Sequence, residues 1–183
     1  ICLYAGAHGL SNDLEVVLRA ALALSTRAEM HFVFVGDGKE KKGLEQMAQA
    51  LALRNTLFLP PVAKQEMQSI LAAADVCIAI LKPIELYKTT YPNKVFDYMA
   101  AGKPVLLAID GVIRQVVEGA GAGLFCQPGD PDALARGAAQ LADDPAMARA
   151  MGAAGRRHVE AHFNREQLAG QLAQLFEEMR RVQ

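Results

Sequence analysis

The residues whose types and spacing could do chemistry are concentrated between Lys88 and Val105. Pro92 disfavours helix at Tyr91, and Asn93 is a residue type that caps helices, so we predict a helix N-terminus here. The partial positive charge of that N-terminus, together with Thr90, Asn93 and Lys94, suits an anionic phosphate. Asp97 lies one turn further in, where it could accept hydrogen bonds from paired hydroxyls such as those of a ribose. The alternative is that Asp97 only complements the helix dipole and pairs with Lys94.

A second candidate is the loop from Ala5 to Asn12, which follows a predicted strand and leads into a predicted helix. Gly6 and Gly9 would let backbone approach a ligand closely, and N–H groups at a helix start can cradle a phosphate. The loop has neither the G-x-G-x-x-G spacing of a dinucleotide site nor the Lys-Ser/Thr end of a P-loop. A tight turn capped by Ser11 or Asn12 is the alternative. His8 on its own favours a solvated loop histidine over a catalyst.

A third loop, Gly36-Asp37-Gly38, follows the second predicted strand. An acidic residue there can bind a ribose in a Rossmann domain, but this tripeptide is also common in turns. We favour the turn.

The elements that must position these loops are apolar runs of three to six residues alternating with segments of helical spacing, a pattern typical of parallel sheets. This predicts an α/β fold, a Rossmann-like doubly wound parallel sheet of about six strands with helices on both faces, whose strand-to-helix loops converge on one edge. The predicted strands are residues 1–4, 31–35, 56–59, 76–80, 105–108 and 124–126, and the predicted helices between them are 13–24, 40–53, 64–73, 94–101 and 112–118.

After this core the chain is predicted to be all helical, over residues 130–141, 146–162 and 165–181. The last helix carries an apolar stripe: Leu168, Leu172, Leu175, Phe176 and Met179. We expect it to pack against this same domain, and the alternative is that it packs partly on a neighbouring domain outside this chain. We therefore expect one domain over 1–183, with a β/α core at 1–128 and a helical tail at 129–183.

Composition excludes several classes of protein. With 183 residues, 52% of them hydrophobic, and a net charge of -1, the chain can bury a core and lacks the basic surface of a nucleic-acid or polybasic membrane binder. We expect no transmembrane segment, because no apolar run approaches about 18 residues. Cys2, Cys77 and Cys126 sit in apolar runs without metal or disulfide spacing, so we expect structural thiols and a cytoplasmic location.

The chain resembles the carboxyl-terminal domain of family 4 glycosyltransferases. The resemblance runs in order through nearly the whole chain and is carried by Val35–Gly38, Asn55–Leu59, Ala74–Val76, Pro92–Val105, Gly121–Leu124 and Pro128–Asp130. The most specific part, PNKVFDYMAAGKPV, resembles a subgroup that adds N-acetylated sugars to lipid-linked bacterial surface polysaccharides.

The resemblance implies one half of a GT-B fold, the half that holds a nucleotide-sugar donor. It implies that backbone near Pro61 and Val62 meets the base and that Asp97 takes the ribose hydroxyls. The loop from Gly6 to Ser11, with His8 and Gly9 inside it, would surround the diphosphate together with Thr90 and Lys94. It also implies retention of anomeric configuration with no cofactor and no metal, and Asp130-Pro131-Asp132 is better explained as a helix start than as a metal clamp.

The sequence departs from the family at two points. Two glutamates separated by seven residues are usual, but Thr89 stands at the first position and the shorter Asp97 at the second. The Arg and Lys that often grip the diphosphate after the first strand are absent. Phosphate binding then depends more on helix N-termini and Lys94, and the catalytic residues stay unassigned.

The leading hypothesis is the donor-binding half of a retaining glycosyltransferase that uses a UDP-sugar, preferably N-acetylated, and a lipopolysaccharide or lipid-linked glycan acceptor. Because the chain opens directly on a strand, we expect an upstream acceptor domain outside it, so that this chain binds nucleotide without transferring sugar. The full-length protein would then act at the inner face of the bacterial membrane as a peripheral protein. The alternatives are half of a UDP-sugar epimerase and a non-catalytic nucleotide-binding module.

Overall fold

The computed structural model describes the backbone of residues 1–181 and the side chains of residues 1–164 and 168–180. Six strands form the centre: β1 Cys2–Ala5, β2 Phe32–Val35, β3 Thr56–Leu59, β4 Val76–Ile80, β5 Val105–Ala108 and β6 Gly123–Phe125. Eight α-helices accompany them: α1 Leu14–Ala23, α2 Lys41–Ala50, α3 Lys64–Ala73, α4 Asn93–Ala100, α5 Val112–Gly119, α6 Pro131–Asp143, α7 Pro145–His162 and α8 Arg165–Arg181.

The sheet is entirely parallel and its strand order is β3-β2-β1-β4-β5-β6. This is the order of a Rossmann-like doubly wound sheet, so the predicted fold class is confirmed. The order reverses between β1 and β4, which are paired through Cys2 with Val76 and Leu3 with Cys77. Beyond their carboxyl ends the connections leave in opposite directions, and sheets of this kind bind ligands at that point.

Alternate residues of the central strands enter two hydrophobic cores, one on each face of the sheet. In β4, Val76, Ile78 and Ile80 pack with α1, α2 and α6 on one face. Cys77 and Ala79 pack with α4 and α5 on the other. Because both faces of the sheet are covered, the central strands are continuous apolar runs, and this pattern allowed them to be predicted from the sequence.

All predicted strands and helices are present, with their ends moved by at most a few residues. Two 3-10 helices, Leu10–Asn12 and Glu85–Thr89, were not predicted because they are too short to show a periodic pattern. The prediction that Asp130 starts a helix is confirmed, since its Oδ1 accepts a hydrogen bond from Ala133 N at 2.9 Å. The three cysteines are buried and free, as predicted, and burial raises the pKa of Cys77 to about 12.

The expected packing of the α8 stripe against this domain is wrong. Its apolar side chains are 45% to 61% exposed: Leu168, Leu172, Leu175, Phe176 and Met179. A helical period predicts an apolar face, but it does not say which element covers that face.

Candidate functional site

The predicted loop after β1 and the start of α4 meet at the switch point of the sheet. Lys94, in the first turn of α4, donates a hydrogen bond from Nζ to the Tyr4 hydroxyl at 2.8 Å. The same nitrogen lies 4.0 Å from the centre of the Tyr4 ring. A Cβ placed on Gly6 would come within 2.9 Å of it, so Lys94 lies directly over the Gly6 backbone. The convergence expected from the topology is therefore present.

Two buried tyrosines hold the loop after β1 in place. The Tyr4 hydroxyl donates to Ala7 O at 2.7 Å. The Tyr98 hydroxyl on α4 lies 3.1 Å from both the N and the O of Ala5, at the last residue of β1. Sequence reasoning missed both residues, because each lies within an apolar pattern. The available signal was the hydroxyl itself, since a buried tyrosine needs a polar partner.

Lys94 is a half-buried cation whose only hydrogen bond within the described side chains is to Tyr4. Burial lowers the pKa of Lys94 to about 8. The alternative in which Asp97 pairs with Lys94 is wrong, because Lys94 turns towards Tyr4 while Asp97 is exposed. Among the described residues, no carboxylate pairs with this ammonium group at the switch point, and such a group favours an anion.

Asn93 does not cap α4 as predicted. Pro92 occupies the N-cap position with extended backbone, and Asn93 is the first helical residue, with an exposed side chain. Proline has no side-chain acceptor, so the first N–H groups of α4 have no side-chain cap. These free N–H groups add to the positive end of the helix beside Lys94.

His8 is buried, and the expectation of a solvated loop histidine is wrong. Its ring centre lies 6.0 Å from that of Tyr4, 6.4 Å from Phe34 and 6.1 Å from Phe58. Neither ring nitrogen has a hydrogen-bond partner among the described residues. Burial lowers the pKa of His8, the cations Lys41 and Lys94 lower it further, and Asp37 opposes them. The ring therefore supports the loop from the core side as a neutral group.

The preferred turn at Gly36-Asp37-Gly38 is wrong, because the turn lies at Lys39 and Glu40. The segment nevertheless packs against the loop after β1, and Asp37 Oδ1 accepts a hydrogen bond from Gly38 N at 2.8 Å. Gly36 has φ 144°, and a Cβ there would lie 2.0 Å from Gly6 O. His8 N donates to Asp37 O at 2.8 Å, which joins the two loops through backbone. Only glycine at position 36 permits this close approach of its backbone to Gly6.

The hydroxyls of Ser11, Thr89 and Thr90 are hydrogen-bonded where the connection after β1 meets the connection after β4. The Tyr87 hydroxyl donates to Ser11 Oγ at 2.9 Å. Thr90 Oγ1 donates to Tyr87 O at 2.8 Å and Thr89 Oγ1 to Leu86 O at 2.9 Å. Local carbonyls thus occupy the protons of both threonines, which leaves oxygen lone pairs rather than donors.

The predicted base and ribose residues lie along the same edge but are not joined to Lys94. Pro61 and Val62 connect β3 to α3, where Pro61 is exposed and Val62 half-buried. Asp97 lies one turn inside α4 with its carboxylate in solvent. The structure thus brings Gly6, His8 and Lys94 together, places Ser11, Thr89 and Thr90 beside them, and sets Pro61, Val62 and Asp97 further along the edge.

A comparison with known families decides the relationship. The family described as glycosyl transferases group 1 matches residues 1–144. The chain belongs to this glycosyltransferase family. The D-inositol 3-phosphate glycosyltransferase of Streptomyces avermitilis is 32% identical over 171 residues, covering 87% of this chain and 36% of that protein. The GDP-mannose-dependent monoacylated alpha-(1-6)-phosphatidylinositol monomannoside mannosyltransferase of Corynebacterium glutamicum is 29% identical over 160 residues, covering 84% of this chain and 40% of that protein.

Solved structures agree on the fold of this glycosyltransferase domain. Sucrose-phosphate synthase from Thermosynechococcus elongatus superposes with a TM-score of 0.86 at 26% identity, over 100% of this chain and 46% of that one. Anabaena HepE, solved in complex with UDP, gives 0.86 at 19% identity, over 97% of this chain and 48% of that one. The fold is that of the carboxyl-terminal-like half of GT-B enzymes, and the chain spans about a third of the curated relative from Streptomyces avermitilis. None of the helices in its described part is long and apolar enough to cross a bilayer.

Proposed function

We propose that this glycosyltransferase domain binds the nucleotide-sugar donor of a retaining enzyme, with the donor diphosphate at the switch point between β1 and β4. One observation carries the proposal: Lys94, a half-buried cation with no carboxylate bound to it, lies over Gly6 at the switch point. Doubly wound sheets bind ligands at this place. Burial destabilises the charged form of Lys94, and an anion bound there would stabilise it again.

The diphosphate would be held from two sides. On one side are the uncapped N–H groups of α4 and the Lys94 ammonium. On the other is the backbone from Gly6 to Gly9, which Tyr4, His8 and the segment from Gly36 to Gly38 hold in position. Together these groups would neutralise the charge that develops on the leaving diphosphate, which is how phosphate leaving groups are stabilised. No metal or cofactor enters the proposal.

The nucleoside would extend from the diphosphate along the carboxyl edge. Asp97 has an exposed carboxylate that can accept bonds from two ribose hydroxyls, and backbone at Pro61 and Val62 would meet the base. A base read by backbone is compatible with uracil or guanine. HepE was solved with UDP, whereas the Corynebacterium relative is named for GDP-mannose. We propose UDP as the nucleotide because the motif from Pro92 to Pro104 resembles that of the subgroup that transfers N-acetylated sugars.

The remainder of the reaction follows from the family resemblance. We infer an N-acetylated sugar, a lipopolysaccharide or lipid-linked glycan acceptor, and a second Rossmann-like domain that supplies most of the acceptor site. The full-length protein would act in the cytoplasm, peripherally at the inner face of the membrane. The chain itself is expected to bind donor without turnover, and we assign no catalytic residue in it.

Isothermal titration of the 183-residue chain with UDP, GDP and uridine tests the donor site. We expect UDP to bind, GDP to bind more weakly and uridine to bind least, because uridine lacks the diphosphate. Asp97→Ala should weaken UDP binding about tenfold, the loss expected for charge-assisted hydrogen bonds to ribose. Glu45→Ala removes an exposed carboxylate from α2, outside the proposed site, and should bind UDP as the wild type does. Absence of UDP and GDP binding, or equal UDP binding by Asp97→Ala, would refute the proposal.

A further inference from the structure

The Tyr4 hydroxyl has two partners and only one proton. Its oxygen lies 2.7 Å from Ala7 O and 2.8 Å from Lys94 Nζ. A carbonyl oxygen can only accept, so the Tyr4 proton must point at Ala7. The lone pairs of the hydroxyl are then the part that faces Lys94, and Lys94 must be the donor. The direction of both bonds is thus determined by the loop carbonyl.

This arrangement does more than fill the core. Tyr4 is fully buried at the end of β1, and its ring already packs among apolar neighbours without help from the hydroxyl. A lysine side chain has many rotamers, so the position of its ammonium group is undefined unless another group bonds it. Tyr4 is the one described residue that binds the Lys94 nitrogen, and it does so above Gly6.

We propose that Tyr4 is a positioning residue for donor binding, which holds the Lys94 ammonium over Gly6 in its charged form and aims it at the diphosphate. The inference rests on the proposed function and adds to it the device that sets the place and charge of the phosphate-binding lysine. A hydroxyl suits this task because it is neutral. A carboxylate at the same position would satisfy Lys94 and compete with the phosphate, whereas a hydroxyl leaves two ammonium protons for the ligand.

The titration of Lys94 is consistent with this role. Burial lowers the pKa of Lys94 to about 8, so its charge at neutral pH depends on whatever stabilises the ammonium. Accepting a hydrogen bond from the charged form raises a lysine pKa, and removing that acceptor lowers it. Burial raises the pKa of Tyr4 far above neutrality, so the hydroxyl stays protonated.

Other titratable groups stand around this pair. They are His8 on the loop after β1, Asp37 and Lys41 on the segment from β2 to α2, and Asp97 and Tyr98 on α4 itself. His8 is buried and its pKa is lowered, so it is neutral at and above neutral pH. His8 therefore adds no change of charge in the pH range in which Lys94 loses its proton.

The test is UDP affinity as a function of pH, measured by calorimetry between about pH 7 and 9. The terminal phosphate of UDP, whose pKa is about 6, is already about nine-tenths ionised at pH 7, so its charge changes little in that range. Three variants accompany the wild type: Tyr4→Phe, which keeps the ring, Lys94→Met, and the double variant. Tyr91→Phe is the matched control, since it removes a hydroxyl from a side chain that is 56% exposed. Lys94→Met reports any pH dependence that belongs to the ligand.

Wild-type affinity should begin to fall near pH 8, where Lys94 loses its proton. Tyr4→Phe should bind UDP about tenfold more weakly at neutral pH, and its affinity should begin to fall at a pH lower by about half a unit or more. The double variant should bind no more weakly than Lys94→Met, because Tyr4 acts through Lys94. Tyr91→Phe should match the wild type.

Three results would overturn the inference: unchanged affinity of Tyr4→Phe, a loss of affinity with the same pH midpoint, or additive losses in the double variant. A ligand-free measurement separates this from failure of the proposed function. NMR titration of the Lys94 Cε resonance should give a lower midpoint in Tyr4→Phe than in wild type, with exposed Lys42 unchanged. Coincident Lys94 midpoints would sink the role of Tyr4 whether or not nucleotide binds, whereas shifted midpoints without UDP binding would sink only the donor site.

Discussion

Lys94 and Lys103 lie near opposite ends of α4, Lys94 at the carboxyl ends of the strands and Lys103 at their amino ends. Their hydrogen-bond partners differ. Lys103 Nζ donates to Ala72 O at 2.8 Å and to Ala74 O at 2.7 Å, at the carboxyl end of α3. Helix carbonyls carry partial negative charge there, so Lys103 is satisfied by the fold itself. Among the described side chains, Lys94 bonds only the neutral Tyr4 hydroxyl. Lys103 thus satisfies the end of a helix, whereas we propose that Lys94 binds a ligand.

Cavity size alone points to the edge opposite the proposed donor site. A cavity of about 430 Å³ opens at the amino ends of the strands, lined in part by Cys2, Lys103 and Leu141. The cavity at the carboxyl edge beside Lys88 measures about 150 Å³. The larger one contains a lysine that is already bonded, while the uncompensated charge lies at the other edge. The proposed donor site therefore rests on this uncompensated charge and not on cavity volume.

Replacing Lys94 should have the largest effect. Lys94→Met should weaken UDP binding about 100-fold, or about 2.7 kcal/mol, because the buried charge that meets the diphosphate is lost. The unfolding temperature should not fall, since a cation without a carboxylate costs free energy to bury. Calorimetry and thermal unfolding measure both quantities, with Lys42→Met on the exposed face of α2 as control. A large loss of stability with intact UDP binding would show that Lys94 stabilises the fold and does not bind the ligand.

Replacing Lys103 should do the opposite. Lys103→Met should lower the free energy of unfolding by about 1–2 kcal/mol, because two carbonyl acceptors at the end of α3 lose their donor. UDP affinity should stay at the wild-type value, since this residue lies at the other edge of the sheet. Urea denaturation followed by UDP titration checks both statements. Loss of UDP affinity in the folded variant would show that the two edges are not independent.

His8 should add a smaller, pH-dependent effect at the carboxyl edge. Its pKa is lowered in the folded chain, so the unfolded chain binds more protons below the usual histidine value of about 6.5. Stability from neutral His8 is therefore complete above that pH and is lost as pH falls towards the folded pKa, by at most about 1.4 kcal/mol per pH unit.

The variant His8→Phe should flatten that dependence, because a phenyl ring fits among Tyr4, Phe34 and Phe58 without titrating. The measurement is the unfolding free energy at a series of pH values, and exposed His31→Gln is the control. His158, whose pKa burial also lowers, titrates in both proteins and cancels in the difference. Parallel stability curves for wild type and His8→Phe would rule out a buried, neutral His8.

The contrast between α4 and α8 shows how far periodicity reaches. Both helices were predicted, and α8 with its bounds unchanged, because an apolar stripe at a 3.6-residue period is a local property. In α4 the stripe is buried, with Val95, Tyr98 and Met99 in the core. In α8 it is exposed. Which element covers the apolar face of a helix depends on long-range packing, and the periodicity of the helix sequence carries no information about it.

The sequence by itself determined the parallel sheet, its order of strands and helices, and the convergence of the Gly6 loop with Lys94. These follow from apolar runs, helix boundaries and the handedness of crossovers, all of which act over short stretches of chain. Only the tertiary structure decided that His8 is buried, that Lys94 bonds Tyr4 rather than Asp97, and that Tyr98 grips Ala5. Residues 90 or more positions apart make these last contacts, and side chains choose among such partners only after the strands have paired.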